Sequence, residues 1–111
     1  MLNLEAIELI KQLKSRYFRY LDTCNMDGMK TVFSEDGEVH YTSPSYSIHH
    51  KGWNELEKFF SSTFTETKFG IHIGTNPEIT VAEDGENATG IWYLRDIFVS
   101  LDDNVQVEGS A

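Results

Sequence analysis

Leu4, Ile7, Ile10, Leu13, Tyr17 and Leu21 recur at intervals of three and four, the period that lines up one face of an α-helix. Glu5, Glu8, Lys11, Lys14 and Arg19 fall on the other side, so the first element is expected to be an amphipathic helix. It should end near Cys24 and Asn25, because Asn25, Asp27 and Gly28 supply turn and cap chemistry, and Asp27 can open a short second helix through Phe33. Ser34-Glu35-Asp36-Gly37 then turns the chain. Glu38 to Thr42 alternates, with Val39 and Tyr41 on one side, and predicts a strand that stops before the polar loop Ser43-Pro44-Ser45. Helical spacing returns with Trp53, Leu56, Phe59, Phe60 and Phe64, predicting a third helix from about Trp53 to Phe64.

Beyond that helix the pattern is sheet. Phe69 to Asn76, Glu78 to Ala82, Asn87 to Leu101 and Val105 onward are separated by Asn76-Pro77, by Glu83-Asp84-Gly85-Glu86 and by Asp102-Asp103-Asn104, all turn formers. Helices first and an antiparallel meander afterwards predict an α+β layer fold, with the helices over one face of a curved sheet. The length, 111 residues, suits one domain with one core. Eighteen acidic residues against nine basic ones give a net charge of -9, which excludes a nucleic-acid partner unless the bases gather on one face, and they are scattered. No apolar run reaches the roughly 20 residues needed to cross a bilayer, and Glu5 and Glu8 stand where a signal peptide would be basic, so a cytoplasmic location without membrane contact is the default expectation. Cys24, the single cysteine, excludes an intrachain disulfide and a thiolate metal cluster, and is expected to act as a small buried hydrophobe.

Three polar residues interrupt these patterns. In Phe69 to Asn76, period two sends Phe69, Ile71 and Ile73 to one face and Gly70, His72, Gly74 and Asn76 to the other. His72 between two glycines has free volume before its ring, although the glycines could instead mark curvature and the histidine could bond a backbone group. On Asn87 to Leu101 the face carrying Ala88, Gly90, Trp92, Leu94, Asp96 and Phe98 is apolar apart from Asp96. That carboxylate must be paired, bonded or turned outward by a bulge. Asp22 lies at the edge of the first helix's apolar stripe, where an acid near a C-terminus opposes the macrodipole; solvation of a fraying end is the alternative. Adjacent His49 and His50 fall in what reads as a polar, solvent-facing loop, and none of the four histidines has metalloprotease spacing, so no metal is expected.

Tyr17 followed by Asp22, then Asp27, Phe33 and Asp36, Tyr41, Gly52, Phe59, and His72-Ile73-Gly74-Thr75-Asn76 with Ile79 and Val81, resemble the SnoaL-like branch of the nuclear transport factor 2 superfamily. The resemblance covers nearly the whole chain. It implies a cone-shaped α+β fold around one internal pocket, as in the polyketide cyclases. Within the branch the segment is most similar to the dehydratase and dehydrochlorinase group, which includes scytalone and bile-acid dehydratases and hexachlorocyclohexane dehydrochlorinase. The resemblance implies His72 as the proton-abstracting base, Asp22 as the residue that orients it and Tyr17 as a third catalytic group. It also implies Tyr41 and Asp96 lining the pocket, and Asn76 and Trp92 are expected beside them as substrate contacts. Members usually continue past the position of Ala111 with a final strand, so a cone lacking that strand is expected.

The expected activity is therefore a cofactor-independent lyase, a dehydratase or dehydrohalogenase, acting on a small hydroxylated or halogenated ring compound. Neutral histidine is a suitable general base at cellular pH, and a carboxylate on its other nitrogen fixes the tautomer. Two alternatives stay open. One is a non-catalytic small-molecule-binding or assembly module, and the other is the small subunit of a ring-hydroxylating oxygenase, which shares the fold. The sheet face formed by Ile71, Ile73, Ile91, Tyr93, Ile97 and Val99 predicts a homo-oligomer, dimer or trimer.

Overall fold

A computed structural model describes residues 2–111. The order is α1 (Leu4–Asp22), α2 (Met26–Val32), β1 (Glu38–Ser43), β2 (Tyr46–Lys51), α3 (Trp53–Thr63), β3 (Lys68–Val81), β4 (Ala88–Ser100) and β5 (Val105–Ser110). The strands form a β1-β2 hairpin and a β3-β4-β5 antiparallel meander, which with three helices make an α+β fold. The single curved sheet expected from the sequence is thus two sheets.

The helical ends follow from their side chains. Asn3 caps α1 by accepting from the Ala6 N–H, and Asn25 caps α2 by accepting from the Gly28 N–H. α1 stops through a pair of backbone bonds, Asn25 N–H to the Tyr20 carbonyl and Cys24 N–H to the Leu21 carbonyl, with Cys24 itself at φ 56°. That is a Schellman stop whose left-handed residue is cysteine where glycine is usual. Cys24 is only partly buried, and its thiol donates to the Thr65 carbonyl at 3.4 Å.

Leu21, Met29, Trp53, Leu56 and Phe60 form the buried core, contributed by all three helices. Phe33 closes it with ring contacts to Tyr17, Trp53 and Phe60. α1 lies along β3: Phe18 sits over Gly74, and Ile7 shares a hollow with Ile79 and Val81. α3 covers the hairpin through Phe59, which meets the rings of Tyr41 and His50. These two helix-on-sheet layers leave a space between them.

Two stretches differ from the pattern reading. Tyr46–Lys51, read as loop, is β2, paired residue for residue with β1 across the two-residue turn Pro44-Ser45. The Ser43 hydroxyl accepts from the N–H groups of Ser45 and Tyr46, which fixes that turn. His49 and His50 accordingly stand on a strand, His49 bonded to Glu38 and His50 lying over Phe59. Asn76-Pro77, read as a break between strands, lies inside β3 as a bulge, since Thr75 pairs with Tyr93 and Glu78 with Ile91. The extra residue shifts the side-chain alternation by one, so that Ile79 and Val81 are half-buried after the bulge as His72 and Gly74 are before it.

Candidate active site

The last residue of α1 and the middle of β3 meet across the interface. Asp22 takes hold of His72 with both oxygens. Its Oδ1 lies 2.5 Å from the ring Nδ1, and its Oδ2 accepts from the His72 backbone N–H at 3.0 Å. The carboxylate facing Nδ1 places the ring proton on that nitrogen and leaves Nε2 with its lone pair free. Among the described residues Nε2 has no hydrogen-bond partner. The His72 side chain is 10% exposed and that of Asp22 is 23%, so the pair is shielded but reachable.

The glycines on either side of His72 serve space. A Cβ on Gly70 would meet the His72 ring at 2.8 Å, and one on Gly74 would meet Phe18 at 2.5 Å. Phe18 in turn stacks on the imidazole, with planes 6° apart and centroids 5.9 Å apart, while Phe64 presents its edge to it. The imidazole is therefore fixed by its hydrogen bond to Asp22 and by two aromatic contacts.

His72 opens onto a cavity of about 560 Å³ between the two layers. Tyr17 and Tyr41 line it together, their hydroxyls 3.1 Å apart. Burial, then the neighbouring Tyr41 and Asp22, pushes the Tyr17 hydroxyl far above its ordinary range. Burial also raises Tyr41, against an opposing contribution from its bond to Tyr17. Both phenols stay protonated and able to donate.

Asp96 lies opposite His72 in the β3-β4 register and lines the same cavity. Neither a salt bridge nor a bulge relieves it. β4 is regular there, and among the described residues its carboxylate has no hydrogen-bond or ion-pair partner. Its cross-strand neighbour Gly109 gives it room, since a Cβ there would come within a 2.4 Å clash of Oδ1.

Trp92 stands outside this cavity, in an adjoining hollow of about 340 Å³ that shares Lys14, Tyr17, His40 and Tyr41 with it. Asn76 is exposed on the bulge at φ 53° and lines neither hollow. The structure thus brings Asp22, His72, Tyr17, Tyr41 and Asp96 together, sets Trp92 at the rim and keeps Asn76 apart. A larger hollow of about 670 Å³ beside Gly52 and Trp53 contains none of these residues.

Pattern reading missed Phe18, Phe64 and Lys14. Lys14, assigned to the polar side of α1, instead turns toward the cavity with its ammonium over the rings of Tyr17, Phe18 and Trp92. The signal was present in the helix itself, since residues three and four apart are neighbours and Lys14 precedes two aromatics at those spacings. Among the described residues no three His, Cys, Asp or Glu side chains converge as a metal site, and no helix is long and apolar enough to cross a membrane.

Comparison with solved structures places this architecture among the nuclear transport factor 2-like folds. A candidate scytalone dehydratase from Novosphingobium aromaticivorans is 20% identical, with a TM-score of 0.77 over 97% of this chain and 71% of that one. ActVI-ORFA from Streptomyces coelicolor, also 20% identical, gives a TM-score of 0.68 over 91% of this chain and 75% of that one. A candidate dehydratase of the same fold family from Streptomyces avermitilis is 11% identical, with a TM-score of 0.55 over 82% and 81%. At these identities the likeness shows the fold alone. The family model described as a SnoaL-like domain matches residues 3–111, helices and both sheets included, and the chain belongs to that family.

Proposed function

We propose that this protein is a cofactor-independent lyase, a dehydratase or dehydrohalogenase, acting on a small hydroxylated or halogenated ring compound. The observation that carries the proposal is the two-point grip of Asp22 on His72 at the wall of a cavity rich in aromatic side chains. Nε2 of His72 takes a proton from the carbon next to the one bearing the leaving group. The C–H electron pair becomes the new double bond, and the leaving group departs with its bonding pair. Asp22 holds the ring in the productive tautomer and stabilises the imidazolium that forms. Tyr17 or Tyr41 donates a hydrogen bond to the departing hydroxide, which takes the abstracted proton back from the His72 imidazolium and leaves as water, or to a carbonyl that acidifies the C–H bond. Asp96 lies across the strand pair from His72, which supports a role in accepting from a substrate hydroxyl. The cavity volume falls within the range usual for small-molecule sites.

The test is a panel of cyclic alcohols and halides, followed by the absorbance of the new double bond. With a substrate in hand, His72→Ala should lower kcat/KM by about 10²–10⁴-fold, the usual contribution of a positioned base. Unchanged turnover in that variant would remove His72 from the mechanism. Ligands that bind without any product would make the cavity a storage or sensing site.

A further inference from the structure

Lys14 is the only lysine or arginine among the residues lining the His72 cavity. Its ammonium stands 5.0 Å from the ring centroids of Tyr17 and Phe18 and 5.3 Å from that of Trp92, distances at which a cation is attracted by the ring faces. Among the described residues it forms no ion pair. Burial lowers its pKa, so three aromatic faces do not replace the water it has lost. A cation in this condition is stabilised by a counter-charge that arrives, and both hollows that Lys14 lines can admit one. The nearby acids leave it unpaired: both Asp22 oxygens hold His72, and Asp96, on the same cavity, makes no ion pair with it.

We propose that Lys14 binds a carboxylate carried by the substrate, at the point where the two hollows meet. The Phe18 ring sets the spacing. The imidazole lies 5.9 Å and the ammonium 5.0 Å from its centroid, so base and cation share one aromatic neighbour. A ring compound laid along the aromatic wall would present its acidic C–H to His72 and its carboxylate to Lys14. The protein carries a net charge of -9, so its overall field opposes an acidic substrate and a local cation on the cavity wall offsets it. The substrate class is therefore a cyclic acid, and Lys14 is a specificity-determining residue. This inference rests on the cavity being the substrate site but not on proton abstraction by His72.

Phenylacetate and phenylacetamide, alike in ring and shape, are the probes, and isothermal titration is the readout. Wild-type protein should bind the acid at least about tenfold more tightly than the amide, a difference of about 1.4 kcal/mol. Lys14→Met and Lys14→Gln should abolish that preference while leaving affinity for the amide within a factor of about two. His72→Ala should keep the preference even where turnover is lost, which separates failure of this inference from failure of the lyase reading. Equal affinity of the wild-type protein for the two compounds, or no binding of the acid, overturns the proposal without reference to any variant. A preference that survives in a folded Lys14→Met protein overturns it as well.

Discussion

Asp22 joins ring and backbone of the same residue, and this decides what a substitution there would do. Replacing it removes the restraint on the imidazole and leaves the His72 N–H in search of a new acceptor. Tyr17 gives a separable effect. Its hydroxyl and that of Tyr41 both ionise with more difficulty in the fold than the ordinary 10.0. Below that value folded and unfolded chains hold the phenolic protons alike. Above it the unfolded chain releases them while the folded one retains them, so stability falls as pH rises. Tyr17→Phe removes one such group and one hydrogen bond. Near neutral pH it should therefore be less stable than the parent by about 1 kcal/mol. Between about pH 10 and 11 it should lose less stability than the parent does. Urea midpoints across that range check both signs, and parallel curves for the two proteins would contradict the account.

At the scale of elements, the bulge in β3 is the least expected feature. Asn76 takes φ 53° there, and Pro77 follows where an unpaired residue has no ladder bond to donate. Asn76→Gly should be tolerated. Asn76→Val should cost about 1–2 kcal/mol, because a β-branched side chain opposes the left-handed region. Chemical denaturation measures the difference, and equal midpoints would show that the bulge relaxes. The same pair of residues explains a limit of sequence reading. Asparagine and proline suit a turn and a bulge equally, and only the partner strand decides between them. β2 was hidden for another reason: Ser47, His49 and Lys51 alternate with Ile48 and His50, so no apolar run marks it, and its pairing with β1 is a backbone matter. α1, α3 and β4 were legible because periodic pattern and turn residues agree over their length, and α2 through its cap residues alone. His72 and Asp96 were legible as exceptions to their own strands, and Asp22, Tyr17 and Tyr41 through family resemblance. Lys14 was not, because a helical lysine reads as surface until the rings around it are placed.

The whole molecule is less compact than its length suggests. Its radius of gyration is 15.1 Å, against about 13 Å for a compact chain of this size. Among the described residues five form the buried apolar core, while Ile71, Ile73, Ile91 and Tyr93 are 49–69% exposed on the sheet face turned away from α1. Such a face favours association. Light scattering at micromolar concentration is therefore expected to give a multiple of 12.7 kDa, and Tyr93→Lys with Ile91→Lys to return the monomer. A wild-type protein that scatters as a monomer would mean that the face stays in water. The Asp22–His72 contact carries a different consequence, for folding order. It joins residues 50 apart and encloses α2, the β1-β2 hairpin and α3. Closing a loop of that length costs roughly 3.5 kcal/mol in chain entropy before any constant. One charged hydrogen-bonded pair returns about 1.5–3 kcal/mol, less than the closure requires. The dyad cannot nucleate the fold, and it forms only after Phe18 and Leu21 have docked α1. Its geometry is thus inherited from the packing around it, which leaves the reacting groups open to change while the scaffold that delivers them persists.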